Sequence, residues 1–280
     1  MNTPLLVASL AAGLAVATSA PAQTWSGSVE GGLYATDRTS TDTDIEGSPF
    51  AGAYIGGMAE NHFGAYRFSI DGRVEYMSDQ GKDDPYVTGP VHSGVLGLHF
   101  GREFGASYVG AYVATGIFDG YNSNSPMSGS MYGLEASHTI TGDVNVFGQA
   151  GYMRAIGDAN DNEYKGFVAR LGMSAPLTDR LNAMVSLDGG RSDDCFVDCG
   201  NQPGRYIGLT IEADYALNDK YAVVGSISHM SVYDEDDDDT GTDTSLFLGV
   251  RMNFGATGSS KALTTPISGF RAAGWMEPLD

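Results

Sequence analysis

Apolar and polar positions alternate along most of this chain. In Ser245–Phe254 (SLFLGVRMNF) the residues Leu246, Leu248, Val250, Met252 and Phe254 form one apolar row. Ser245, Phe247, Gly249, Arg251 and Asn253 form a second row of mostly small or polar residues. A period of two belongs to a strand, because successive side chains leave opposite faces of the pleat. Twelve segments predict strands in this way: about Ser26–Thr36, Phe50–Ala59, Tyr66–Tyr76, Val91–Phe100, Ser107–Phe118, Ser130–Ile140, Val144–Ile156, Gly166–Ala175, Leu181–Gly190, Arg205–Tyr215, Tyr221–Tyr233 and Ser245–Phe254. The third is the cleanest, with Phe68, Ile70, Gly72, Val74 and Tyr76 opposing Arg67, Ser69, Asp71, Arg73 and Glu75. The second, fourth, fifth and eleventh alternate less clearly, so the count is open by two.

The connections alternate in length. ENHFGA, GREFGA, TGD, PLTDR and ALNDK join strands two to three, four to five, six to seven, eight to nine and ten to eleven. The others are long: Asp37–Pro49, Met77–Pro90, Asp119–Gly129, Gly157–Lys165, Arg191–Gly204 and Asp234–Thr244. Short turns at one end and long loops at the other mark a membrane-crossing antiparallel barrel. A Greek-key sandwich has no reason to keep that order over twelve strands. An even count also brings both chain ends to the short-turn side.

The end of the last segment (Gly249, Met252, Phe254) resembles the closing-strand signal of Gram-negative outer-membrane β-barrels. Across about Ser26–Phe254 the chain resembles small porin-like members of that class. The resemblance implies an all-β fold, a transmembrane antiparallel β-barrel of about 12 strands in the cell outer membrane. It implies a channel for passive diffusion of small hydrophilic solutes or ions. Expected partners are outer-membrane lipid and lipopolysaccharide, the outer-membrane assembly machinery and small solutes. The signal normally ends a chain, but here residues 256–280 follow and show no alternation. They are expected to form a C-terminal periplasmic tail, either a disordered extension or folded back to plug the lumen from below.

Composition adds compartment and sidedness. Residues 1–22 read as a signal peptide, with an apolar run at Leu5–Ala17 and a small-residue cleavage site at Ala20-Pro21-Ala22. The barrel would then occupy 23–255. Gly is 39 of 280 residues, Tyr is 15, and 18% of the chain is charged, which suits short twisted strands. The net charge is −20. Leaving out Lys165 at the end of the fourth, the six long loops carry 21 Asp and Glu against Arg38, Lys82 and Arg191, so nearly all the excess falls on one rim. This balance excludes nucleic acid, which needs a basic footprint. Cys195 and Cys199 share one loop and, in an exported protein, are expected to form a disulfide.

The outward rows should meet lipid, with Tyr76, Phe100, Tyr132, Tyr152, Phe167, Tyr215 and Tyr221 near strand ends as two girdles. The other row carries the ionisable residues Glu30, Arg67, Asp71, Arg73, Glu75, Glu135, Arg170, Asp188, Glu212, Asp214 and Arg251. On a lipid face a mid-depth Arg costs roughly 2–4 kcal/mol, so these are expected to be pore-lining. They form either a charged constriction or a salt-bridged network filling a closed barrel, and twelve strands lie between the packed and open regimes. Seven acids against four Arg favour cations or zwitterions. The rival function is a closed structural or adhesive barrel acting through acidic loops such as Asp234–Asp239 and Thr41–Gly47. That acidic run is a solvated loop or a weak divalent-ion site at the cell surface. A third reading is a lipid hydrolase using His229 and Ser231, two apart on one face of the eleventh strand. His62, His92, His99 and His138 show no metal-ligand spacing, no cofactor is expected, and the chain is read as not an enzyme.

Overall fold

The computed structural model describes residues 25–40, 48–77, 91–119, 126–156, 163–192, 204–233, 239–255, 263–268 and 270–271. Twelve strands follow one another: β1 (Ser26–Ser40), β2 (Ser48–Phe63), β3 (Tyr66–Met77), β4 (Val91–Phe104), β5 (Ser107–Asp119), β6 (Pro126–Thr141), β7 (Val144–Ile156), β8 (Glu163–Pro176), β9 (Leu181–Ser192), β10 (Arg205–Ala216), β11 (Tyr221–Tyr233) and β12 (Asp239–Phe254). Each pairs antiparallel with its sequence neighbours, and β1 pairs with β12 to close the barrel. Closure leaves no edge, so the ladder satisfies every strand's amides without water.

The seam runs from Gly27 opposite Phe254 to Ser40 opposite Gly241, so Phe254 ends the closing strand. A side chain at Gly27 would come within 2.7 Å of the Phe254 ring, so glycine there lets the aromatic lie against β1. Several strands run further than alternation suggested, because the tightest hairpins need only two residues: Gly64-Ala65, Gly105-Ala106 and Gly142-Asp143. Gly64, Gly105 and Gly142 have φ of 65°, 61° and 55°, a left-handed backbone that other residues adopt only with strain.

The two faces separate as the alternation requires. Leu33, Leu134, Phe167, Leu171, Leu246 and Leu248 are each at least 59% exposed on the outer wall. Tyr76, Phe100, Tyr132, Phe167, Tyr215 and Tyr221 are exposed there as well, with Tyr152 half-buried among them. At the long-loop end Tyr152 contacts both Tyr132 and Phe167, and at the short-turn end Tyr66 stacks on Phe100 at 5.8 Å. The inner wall holds the charged rows and, in the long-loop half, an apolar cluster that includes Val95, Tyr112, Phe118, Met131, Met153, Tyr206 and Met230. Residues 1–22, the 41–47 segment, Cys195, Cys199 and the acidic run up to Asp238 lie outside the described residues.

Candidate functional site

The eleven ionisable residues of the inward rows all point into the barrel, where each is buried or half-buried. Register decides how they meet. Glu30 on β1 lies opposite Arg251 on β12. The Arg251 guanidinium reaches Glu30 at 3.1 Å, Glu212 at 3.1 Å and also Asp214, gathering three carboxylates. Arg73 joins this group to the next, 3.7 Å from Glu30 and 2.7 Å from Glu75. Its planar head lies over the rings of Tyr54 at 4.2 Å and Phe247 at 4.4 Å.

A second group surrounds His99, one of the residues that spacing alone left without a role. Its Nε2 meets Asp71, and its Nδ1 meets Glu135 at 2.8 Å. Glu135 also accepts from Tyr108 at 2.8 Å and Gln149 at 3.1 Å, and Arg67 lies 3.7 Å over the Tyr108 ring. Two carboxylates facing the two ring nitrogens suit an imidazolium, which donates through both. Across the lumen Arg170 lies 3.5 Å from Asp188 and donates to Ser186 at 3.3 Å.

The chain's own tail completes the site. Of the two positions open to it, the described residues 263–268 and 270–271 take the lumen. The segment enters at the short-turn end, where Leu263 packs with Tyr108 and Phe147. Thr265 then donates to Asp71 through its backbone N–H at 3.2 Å and its hydroxyl at 3.1 Å. Phe270 enters the apolar cluster beside Phe118, and Arg271 grips both Glu75 oxygens at 2.6 and 2.8 Å. Three glycines make room. A side chain at Gly97 would overlap the Thr265 hydroxyl, and one at Gly116 or Gly129 would come within 2.9 Å of the Phe270 ring. Beside the tail remains a cavity of about 150 Å³, bordered by Glu30, Asp71, Arg73, Arg170, Asp188 and Glu212.

Alternation missed Thr265 and Arg271, which lie in a segment without period. It also passed over Glu60 and Asp243, which share the inward rows and were readable by parity. His229 is exposed, as its row requires, and its Nδ1 hydrogen-bonds the Thr244 hydroxyl at 2.8 Å.

No protein-family model matches the sequence, and no curated relative matches it. Solved structures do. The translocator domain of the autotransporter NalP from Neisseria meningitidis superposes with a TM-score of 0.53 at 13% identity, over 90% of this chain and 95% of that one. This chain has the fold of an outer-membrane β-barrel. The β domain of the Bordetella autotransporter BrkA gives a TM-score of 0.47 at 14% identity, over 82% of this chain and 100% of that one. The outer-membrane channel DcaP of Acinetobacter baumannii gives 0.46 at 10% identity, over 83% and 97%. The barrel has an apolar outer wall and a polar interior into which its tail is folded.

Proposed function

We propose that the barrel is a channel for small hydrophilic solutes, held shut by its own C-terminal segment. One observation carries this reading. The body crossing the lumen is a separate segment resting on Gly97, Gly116 and Gly129, rather than a layer of wall side chains. The charged groups around Arg251, His99 and Arg170 contribute Glu30, Glu212, Asp71, Arg170 and Asp188 to the border of the cavity beside that segment. The apolar cluster in the long-loop half favours the rival, a permanently closed barrel acting through its loops.

Single-channel recording in planar bilayers separates the two. The full chain is expected to show rare, small openings. A chain ending at Gly255, checked for folding by heat-modifiable gel migration, is expected to conduct steadily. A folded but silent truncated barrel would leave the closed-barrel reading standing alone.

A further inference from the structure

The tail does not fill the lumen evenly. It rests against large side chains such as Tyr108, Phe118 and Phe147 on one side. Along β10 and β11 the inward residues are small: Gly208, Thr210, Ser226 and Ser228. The cavity of about 150 Å³ lies between these residues and the tail. A side chain added at Gly208 would come no closer than 3.5 Å to its neighbours, so the recess is open there. At its edge stand Arg170 and Asp188, directly opposite each other on β8 and β9. Their side chains are only 9% and 6% exposed, yet the pair is loosely held. Arg170 Nε lies 3.5 Å from Asp188 and makes no hydrogen bond among the described residues. The rest of the guanidinium donates to Ser186 at 3.3 Å and to the Thr264 carbonyl at 3.5 Å, and lies 5.3 Å from the Phe147 ring centre. Asp188 accepts from Ser186 at 3.5 Å. Arg251 and Arg271, by contrast, reach their carboxylates at 3.1 Å or less.

A buried charge is costly when its partner is taken away. An anion in this cavity would satisfy Arg170 but oppose Asp188, Glu212 and Glu30. A cation would satisfy those carboxylates but oppose Arg170 and Arg73. A zwitterion whose two charges stand one carbon apart matches a base and an acid standing side by side, and leaves neither unpaired. We propose that the cavity binds a small α-amino acid, with its carboxylate on the Arg170 guanidinium and its ammonium on Asp188. A guanidinium holds a carboxylate through two parallel hydrogen bonds, and Asp188 would exchange a long contact for a charge-assisted one. A cavity of this volume takes about six non-hydrogen atoms, the size of benzene, which limits the side chain to a methyl or hydroxymethyl group. The hydroxyls of Thr210, Ser226 and Ser228 on its border suit such a side chain better than a bulky apolar one. An amino-acid site names the solute class for the channel, and its part in passage rests on that reading. Binding itself is measured without current.

Equilibrium dialysis of the full-length barrel in a non-ionic detergent against radiolabelled L-alanine at pH 7 tests it. Saturable binding is expected. Unlabelled propionate and ethylamine, each lacking one of the two charges, should compete at least about tenfold more weakly than unlabelled L-alanine. Arg170→Gln with Asp188→Asn removes both charges together, so no buried charge is orphaned, and should weaken alanine binding at least about tenfold. If that pair does not fold, Gly208→Leu, which fills the recess and keeps every charge, carries the same expectation. Competition by propionate or ethylamine as strong as by alanine would mean that the cavity reads one charge, and would overturn the proposal. Full alanine binding by either folded variant would place the amino acid elsewhere and overturn it too. A barrel that conducts once it ends at Gly255, but binds no alanine at full length, would overturn this proposal alone. Alanine bound by a barrel that stays silent without its tail would overturn the channel reading alone.

Discussion

Arg251 holds Glu30, Glu212 and Asp214 together in a buried setting. Removing one partner of such a group is worse than removing all of it, because the charges left behind remain buried and now repel. Arg251→Met is therefore expected to cost about 3–5 kcal/mol, measured by urea unfolding in detergent with Trp25 fluorescence as the probe. Adding Glu30→Gln, Glu212→Gln and Asp214→Asn should recover most of the loss. A single variant as stable as the parent would show that Arg251 is not the centre of this network. Parity alone assigned Arg251 and its partners to the interior, since a strand has two faces and lipid tolerates only one of these rows. Parity could not say which charges meet. That is decided by register across strands far apart in sequence, as with His99, whose partners Asp71 and Glu135 are 28 and 36 residues away.

The hairpins and the tail show where sequence reading works for whole elements and where it stops. Strand order, closure at Phe254 and the ends with short turns were legible because each follows from a local signal: alternation, a glycine at a tight turn, an aromatic at a strand end. The tail segment 263–271 has no such signal. Its contacts reach from β3 through β8 and include Phe247 of β12, and the residues that receive it include glycines whose meaning appears only once Thr265 and Phe270 are in place. The bidentate Arg271–Glu75 pair is the contact that most specifically fixes the segment. Arg271→Glu sets two carboxylates against each other there. With about 3–5 kcal/mol at stake, docking of the tail should weaken by about two to four powers of ten. Recording should then show a large rise in open probability over the wild type. Exchanging the pair, Glu75→Arg with Arg271→Glu, should return the trace to its quiet state. A single variant that stays as closed as the wild type would mean that Phe270 and Thr265 hold the tail unaided.

Taken whole, the molecule gathers carboxylates inside the barrel in excess over bases, behind an apolar outer wall. The eleven inward ionisable residues comprise seven acids and four Arg, and Glu60 and Asp243 add two more buried acids. Arg271 of the tail opposes this excess, so withdrawing the tail makes the interior still more negative. In a narrow lumen bounded by low-dielectric walls, such an excess concentrates cations and repels anions. A barrel ending at Gly255 should therefore show a reversal potential of cation-selective sign in a KCl gradient. The preference should be strong near 0.1 M salt, where the Debye length of about 10 Å spans the lumen, and weak at 1 M, where it is about 3 Å. Replacing Glu212 and Asp214 by their amides should reduce it at low salt, because two of the nine interior acids are then neutral and Arg251 is less fully compensated. An anion-selective current through the tail-free barrel would show that ions follow Arg73 and Arg170 rather than the carboxylate excess.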